Sequence, residues 1–93
     1  MSNKKLIKKY LVSDSPLFNG FQKLYKFPNS YGASVIKHAY SYGLELGVII
    51  WDGDDWDLCY DTPITDDILG YLDNKELEKI LMDIYELKVQ EDA

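Results

Sequence analysis

Two apolar segments joined by the pair Asp52-Gly53 constrain the fold more than any other feature of this 93-residue chain. The first segment, residues 44–51, ends in a β-branched and aromatic run that is typical of a strand covered on both faces. The second, residues 56–62, alternates apolar with polar side chains. Because Asp-Gly is a strong turn signal between two such segments, we predict an antiparallel hairpin here. In its second strand we expect the side chains of Trp56, Leu58 and Tyr60 to point inward. Those of Asp57, Cys59 and Asp61 are expected to point outward.

Further strands are expected before this hairpin. Residues 21–27 are short and rich in aromatics, and residues 33–41 alternate, with a cluster of turn-forming residues at 28–32 between them. The segment Ser13-Asp14-Ser15-Pro16 predicts a break in regular structure. Residues 1–14 form a lysine-rich start that could be flexible, although residues 4–12 within it could also form a short helix or a strand.

Two helical segments are predicted after the hairpin. Thr65, followed by two aspartates, resembles the start of a short helix. Asp73-Asn74-Lys75-Glu76 resembles a capping box that opens a longer one. Apolar residues then recur at helical spacing, in a stripe that needs a sheet to cover it: Leu77, Ile80, Leu81, Ile84 and Leu87.

Together these patterns predict one α+β domain over residues 1–93. Three or four antiparallel strands are expected within residues 21–62. The C-terminal helix, preceded by the short one, is expected within residues 65–88 and should pack on the sheet.

Charge is distributed unevenly along the chain. Residues 1–37 hold seven lysines and one acid, a charge of +6, whereas residues 38–93 hold three lysines and fifteen acids, a charge of −12. Arginine is absent from the sequence, although it is the usual residue for bidentate contacts with phosphate and guanine. With a net charge of −6, the composition argues against direct nucleic-acid binding.

The composition also predicts a cytoplasmic protein. The longest uninterrupted apolar run has four residues, 48–51, whereas a membrane span needs roughly 18. The lysine-rich start lacks the apolar block of a secretory signal. The single cysteine, Cys59, leaves no internal disulfide to form. We therefore expect no membrane interaction, and no cofactor is predicted.

A run of eight aspartates within residues 52–73, which no lysine interrupts, is the sharpest functional feature. One interpretation is a negatively charged face that imitates the DNA backbone and docks on the basic groove of a nucleic-acid-binding protein. The other gives each aspartate a local role in a turn, on the outer side of a strand or at the start of a helix. On the first interpretation the partner-binding residues are Asp52, Asp54, Asp55, Trp56, Asp57, Asp61, Asp66 and Asp67.

Three alternatives involve other chemistry. Residues 52–57 place oxygen ligands close together, but the glycine is misplaced for a helix-loop-helix calcium loop and no bidentate glutamate follows.

Cys59, His38 and Asp61 could be drawn as a thiol-based catalytic trio, although such residues more often have structural roles. Surface aromatics could form a protein interface or stack bases, and the acidic surroundings argue against base stacking. We therefore expect neither a metal site nor an enzyme.

Part of the chain between residues 31 and 72 resembles a known group of proteins. The matching segments are Tyr31-Gly32-Ala33-Ser34-Val35-Ile36-Lys37-His38, Tyr42-Gly43, Trp51-Asp52-Gly53, residues 56–67 and Gly70-Tyr71-Leu72. They are similar to a group of small uncharacterised phage and prophage proteins, and the resemblance covers a little under half of the chain. It implies a phage setting inside a host cell, where small acidic proteins without enzyme motifs often inhibit host defence or nucleic-acid enzymes.

These observations predict a small acidic phage-type protein that binds and inhibits a host defence or nucleic-acid-processing protein. Inhibition would resemble that by anti-CRISPR or anti-restriction proteins and could use DNA mimicry. The partner would be a host protein with a basic nucleic-acid-binding surface. The alternative is a phage structural or accessory module that packs against another protein and inhibits nothing.

Overall fold

The computed structural model describes residues 3–39, 41, 43–65 and 67–88. Its elements, in chain order, are α1 (Asn3–Lys8), β1 (Leu11–Leu17), β2 (Gly20–Lys26), β3 (Tyr31–Lys37), β4 (Glu45–Asp52), β5 (Asp55–Leu58) and α2 (Asn74–Tyr85). The predicted α+β class is confirmed. Five antiparallel strands form one sheet in the order β1-β2-β3-β4-β5, and α2 packs against β3. Neither described helix has the length and apolar character needed to cross a membrane.

The sheet has one strand more than the predicted upper number, because β1 was not expected. β1 includes Ser13-Asp14-Ser15-Pro16, the segment that predicted a break. It forms an edge of the sheet and pairs with β2. Proline is tolerated on edge strands because their ladder hydrogen bonds form on one side only. The lysine-rich start is also part of the fold, since α1 leads into β1 and the Ile7 side chain lies in the core, 4% exposed.

The turn at Asp52-Gly53 is confirmed. Gly53 has a φ of +62°, whereas Asp54 has no positive φ, which matches a two-residue type II′ hairpin loop. The β1–β2 turn instead has positive φ at both Phe18 (45°) and Asn19 (66°), the type I′ pattern. Asparagine tolerates this region, but a bulky residue such as Phe18 is strained there.

Alternation along the strands gives the sheet two unlike faces. The helix face carries α2 and the core, which consists of Ile7, Tyr25, Phe27, Tyr31, Ala33, Val35, Leu46, Val48, Leu81 and Ile84. The open face is the opposite one. Strand register and side-chain proximity place these apolar residues on it: Leu24, Ile36, Ile49, Trp51, Trp56, Leu58 and Ile68.

Two glycines let large side chains lie flat on the open face. A side-chain carbon added at Gly32 would come within 2.6 Å of Trp51 Nε1, whose N–H donates to the carbonyl oxygen of Tyr25 at 2.9 Å. A carbon added at Gly47 would come within 2.9 Å of the Leu58 Cδ2 atom. The Trp51 and Leu58 side chains therefore cover part of the open face.

Side chains hold both ends of α2. The Asp73 carboxylate accepts from the Glu76 backbone N–H at 2.7 Å, and the Glu76 carboxylate accepts from the Asp73 backbone N–H at 3.3 Å. The predicted capping box is therefore confirmed. At the other end, the side-chain amide of Asn29, in the β2–β3 turn, donates to three carbonyl oxygens, those of Ile84, Tyr85 and Leu87.

The short helix expected at Thr65 is not found among the described residues after it, and the short helix of the structure is α1 instead. Leu69 forms an antiparallel bridge with Leu46, so this segment pairs with β4 on the same side of that strand as β5. The Thr65 hydroxyl accepts from the backbone N–H of Asp67 at 3.0 Å, which is a local turn bond. Pairing with β4 thus prevails over the helix signal.

The predicted facing of the segment after the turn is reversed. Asp57 opposes Ile50 and Leu58 opposes Ile49, so the odd-numbered positions of β5 share the helix face. Cys59 accordingly packs against the core, whereas Leu58 is 40% exposed. The alternation shows that two faces exist, but it does not show which one the helix covers.

Candidate partner-binding site

Four predicted site residues lie on the β4–β5 hairpin, and we call them the acidic hairpin: Asp52, Asp54, Asp55 and Asp57. Asp52 and Asp55 oppose each other across the strands, and Asp57 lies on the same face as both. Same-face positions on one strand are about 6.6–6.8 Å apart, and directly opposed Cα atoms about 4.5–5.5 Å. Asp54 occupies the turn, and all four residues are exposed. The structure therefore gathers these carboxylates at one edge of the sheet.

Local structure explains only part of the acidic hairpin. Asp52 and Asp54 flank Gly53 and suit the turn. Asp55 and Asp57 are strand residues, and aspartate is depleted in strands. Like charges directly opposite each other, as at Asp52 and Asp55, also destabilise a strand pair. Folding of this segment alone does not account for these two carboxylates.

Lysines do not pair with the acidic hairpin in the described part of the chain. The ion pair found there joins Lys79 to Asp83 on α2, at 2.9 Å. Lys26 reaches the hairpin, but its ammonium donates to the Gly53 carbonyl oxygen at 2.6 Å and lies 5.1 Å from the Trp51 ring centroid. Within the described residues, therefore, no lysine forms an ion pair with the four carboxylates of the hairpin.

The uneven charge along the chain is only partly a separation in space. The acidic hairpin forms the β5 edge of the sheet, whereas Lys5 and Lys8 lie on α1, which packs against α2. Lys26, which also belongs to the lysine-rich half, reaches the hairpin turn. The four carboxylates are exposed, and no lysine of the described residues forms an ion pair with them. A partner that approaches the β5 edge therefore meets a negative surface.

Trp56 and Asp61 lie apart from one another. Trp56 opposes Trp51 on the open face, so it does not share a face with the carboxylates of the acidic hairpin. Asp61 follows β5 and is exposed, and its Oδ1 accepts from the Cys59 Sγ at 2.9 Å. Because Cys59 packs against the core of the helix face, Asp61 lies on the same side of the sheet as the acidic hairpin.

Burial and Asp61 together shift two pKa values in this corner. Burial, followed by the hydrogen bond to Asp61, raises the pKa of the Cys59 thiol. Burial, followed by the charges of Cys59 and Asp61, raises the pKa of Tyr31. Both groups are therefore held in their neutral forms beside an exposed carboxylate.

The structure does not bring the last two predicted residues onto the acidic hairpin. Asp67 sits in a turn, where its carboxylate accepts from the backbone N–H of Ile68 at 2.7 Å. The Ile68 side chain lies near Gly47 on the open face. Asp66 lies outside the described residues.

The thiol trio and the metal cluster are not assembled in the described residues. Cys59 lies near Tyr31, at the start of β3, whereas His38 follows the end of that strand. Seven strand residues separate the two positions by about 23 Å. His38 instead stacks edge-on against Phe18, with 5.6 Å between ring centroids. No group of three His, Cys, Asp or Glu side chains suited to a metal ion occurs within the part of the chain that the structure describes.

Sequence reasoning missed the apolar surface beside the acidic hairpin. Leu58 and Ile68 are 40% and 41% exposed, although both were expected to be buried or helical. A signal for this surface does exist in the sequence, since glycine inside a strand, as at Gly32 and Gly47, marks a close approach of another group.

Comparison with known proteins does not assign this chain to a family. No protein-family model matches the chain, and neither a curated protein nor a solved structure shows significant similarity to it. The resemblance to phage proteins therefore stays a prediction, and the function has to be inferred from the site itself.

Proposed function

We propose that this chain is a small phage-type inhibitor that binds a basic surface on a host defence or nucleic-acid-processing protein. The acidic hairpin is the observation that carries the proposal. Its four carboxylates are exposed on one hairpin at a sheet edge, and the ion pair of the described residues lies elsewhere. Residues that oppose the local fold, as Asp55 and Asp57 do, are commonly found at functional sites.

The mechanism is occlusion of a nucleic-acid site. Asp55 and Asp57 repeat at about 6.6–6.8 Å along one strand and so form a row of negative charge, as the phosphates of a DNA backbone do. Lysine or arginine side chains that bind phosphates would meet carboxylates instead. Once bound, the hairpin excludes the nucleic acid, and long-range attraction speeds the encounter.

A second candidate is a phage accessory module that packs against another protein without inhibiting it. The exposed apolar residues of the open face favour this function, because contiguous apolar surface marks interaction sites. The two candidates differ in their dependence on salt. Binding through carboxylates weakens steeply as salt rises, whereas binding through apolar surface does not.

The decisive variant reverses three charges: Asp54→Lys, Asp55→Lys and Asp57→Lys. Affinity for the host protein captured by the native chain should fall on the order of 100-fold, because attraction to each close cation becomes repulsion. The dissociation constant is measured by calorimetry at two salt concentrations, and displacement of DNA from the captured protein is measured in parallel.

A matched control reverses three acids away from the hairpin: Asp14→Lys, Glu78→Lys and Glu86→Lys. This variant has the same net charge but should retain most of the affinity. If the hairpin variant still binds as tightly and still displaces DNA, the proposed function is wrong.

A further inference from the structure

The part of the open face formed by β4 and β5 is more apolar than an uncovered sheet face usually is. Antiparallel sheets with one solvated face commonly carry polar side chains on it. In the described strands, the charged residues of the open face are Lys26 and Glu45. Lys26 is moreover bonded to the Gly53 carbonyl oxygen. Polar side chains of the open face lie on β1, β2 and β3, at Ser13, Ser15, Gln22 and Ser34. The apolar part of the face is therefore on β4, β5 and the segment that includes Ile68, and contiguous apolar surface marks interaction sites.

The uncovered part of this surface lies at the β5 side. Trp51 and Leu58 lie across the centre of the face, where Ile49 is 0% exposed. Toward the edge, Leu58 itself remains 40% exposed and Ile68 41% exposed. Leu58 and Ile68 are therefore the exposed apolar residues on the β5 side of the open face, whereas Val12 and Phe18 are exposed on β1 and in the β1–β2 turn.

Apolar residues of the open face alternate with aspartates at this edge. Trp56 lies between Asp55 and Asp57 in β5, Leu58 follows Asp57, and Ile68 follows Asp67. Because β5 is an edge strand, its two faces meet at an exposed rim, so one partner can contact the carboxylates and the apolar side chains together.

Charge selects the occupant of this surface. A second copy of the chain would bring another net charge of −6 against the same rim, and a nucleic acid would be repelled in the same way. A protein that presents lysine or arginine beside apolar side chains complements both components.

We infer that the partner of the inhibitor is held by a composite surface, in which Leu58 and Ile68 of the open face bind apolar side chains that flank the basic residues bound by the acidic hairpin. This inference rests on the proposed function. It restricts the possible partners to proteins whose basic site is bordered by apolar side chains. It also means that the open face contributes to affinity, which charge mimicry alone would not require.

Two synthetic eight-residue peptides test the inference, one alternating lysine with leucine and the other alternating lysine with serine. Their charges are equal, so only apolar contact distinguishes them. Binding to the full chain is followed by NMR chemical shifts at low salt. The leucine peptide should bind about tenfold more tightly, and it should shift the methyl signals of Leu58 and Ile68 as well as the amides of the acidic hairpin.

Ile68→Ser should remove most of that tenfold difference, while the matched control Val12→Ser, which replaces a residue 54% exposed on β1, should keep it. Leu58→Ser gives a second variant, with a dispersed NMR spectrum as the check that it folds.

Equal affinities of the two peptides, or shifts confined to the acidic hairpin, would overturn the composite surface but leave the proposed function standing. If neither peptide binds, the proposed function fails as well. Self-association of the chain that Ile68→Ser abolishes would overturn the inference in favour of a second copy.

Discussion

At the scale of single residues, Cys59 shows how one carboxylate sets the chemistry of its neighbour. Burial against the core, followed by the hydrogen bond to Asp61, raises the pKa of the thiol and favours its neutral form. A group whose pKa is higher in the folded state stabilises the fold fully below its unfolded pKa. That contribution is lost as the pH rises through the folded value.

The pH dependence of this thiol can be tested with Asp61→Asn. Removing the carboxylate charge should lower the pKa of Cys59, because the repulsion between this charge and the thiolate disappears and the amide oxygen that replaces it is a weaker acceptor. The midpoint of iodoacetamide alkylation against pH should therefore move to lower pH. Asp57→Asn, which lies on the same strand but does not bond the thiol, is the control. An unchanged midpoint in Asp61→Asn would show that burial alone sets this pKa.

At the scale of elements, Asn29 joins the sheet to the end of α2. Its side-chain amide donates to helix carbonyl oxygens at 2.8–3.1 Å, while its Oδ1 accepts from the Tyr31 backbone N–H at 3.0 Å. One residue thus satisfies the end of the helix and the start of β3, and it is 8% exposed. Terminal helix carbonyls otherwise have no partner within the helix.

Replacing this residue should therefore destabilise the whole domain. Asn29→Ala is expected to lower the free energy of unfolding by about 2–3 kcal/mol, because several buried groups lose their partner together. Urea unfolding followed by circular dichroism measures the change. The exposed Asn74, at the first position of α2, provides the control Asn74→Ala. Similar losses in the two variants would argue against the role assigned to Asn29.

Elements that depend on local signals were predictable, and those that depend on distant partners were not. The turn at Gly53 and the capping box at Asp73 follow from neighbouring residues. The helix signal at Thr65 failed because the segment after it pairs with β4, and the sequence does not reveal that pairing. The role of Asn29 was equally hidden, since its acceptors lie 55–58 residues further along the chain.

The candidate site was predictable to a similar degree. Counting carboxylates locates the acidic hairpin, and strand alternation explains why Asp55 and Asp57 share a face. The exposure of Leu58 and Ile68 was not predictable, because it depends on which face of the sheet α2 covers.

At the scale of the whole molecule, four aspartates gather on the hairpin at the β5 edge, whereas the lysines of the described helices and strands lie on α1, β2, β3 and α2. On β1, Asp14 opposes Lys23, an attractive pair, whereas Asp52 and Asp55 oppose each other on the hairpin. Cross-strand charge pairs of either kind change stability by about 0.2–1 kcal/mol. The acidic hairpin is thus expected to cost the fold a little stability.

Neutralising single aspartates should reveal this difference. Asp55→Asn is expected to raise the free energy of unfolding by a few tenths of a kcal/mol at low salt, while Asp14→Asn should lower it. Both changes should shrink as salt is added, because exposed charges become screened. Thermal unfolding at two salt concentrations measures them. A loss of stability in both variants would show that Asp55 has a stabilising role in the hairpin.

The carboxylates along β5 have one more consequence, which concerns crowded solutions of the protein. An edge strand offers unpaired backbone groups on which a strand of another molecule can assemble, and charged side chains discourage that assembly. Asp55 and Asp57 stand on this strand beside exposed Leu58. The same negative rim that would attract a cationic partner thus keeps the edge from nucleating aggregates of its own kind.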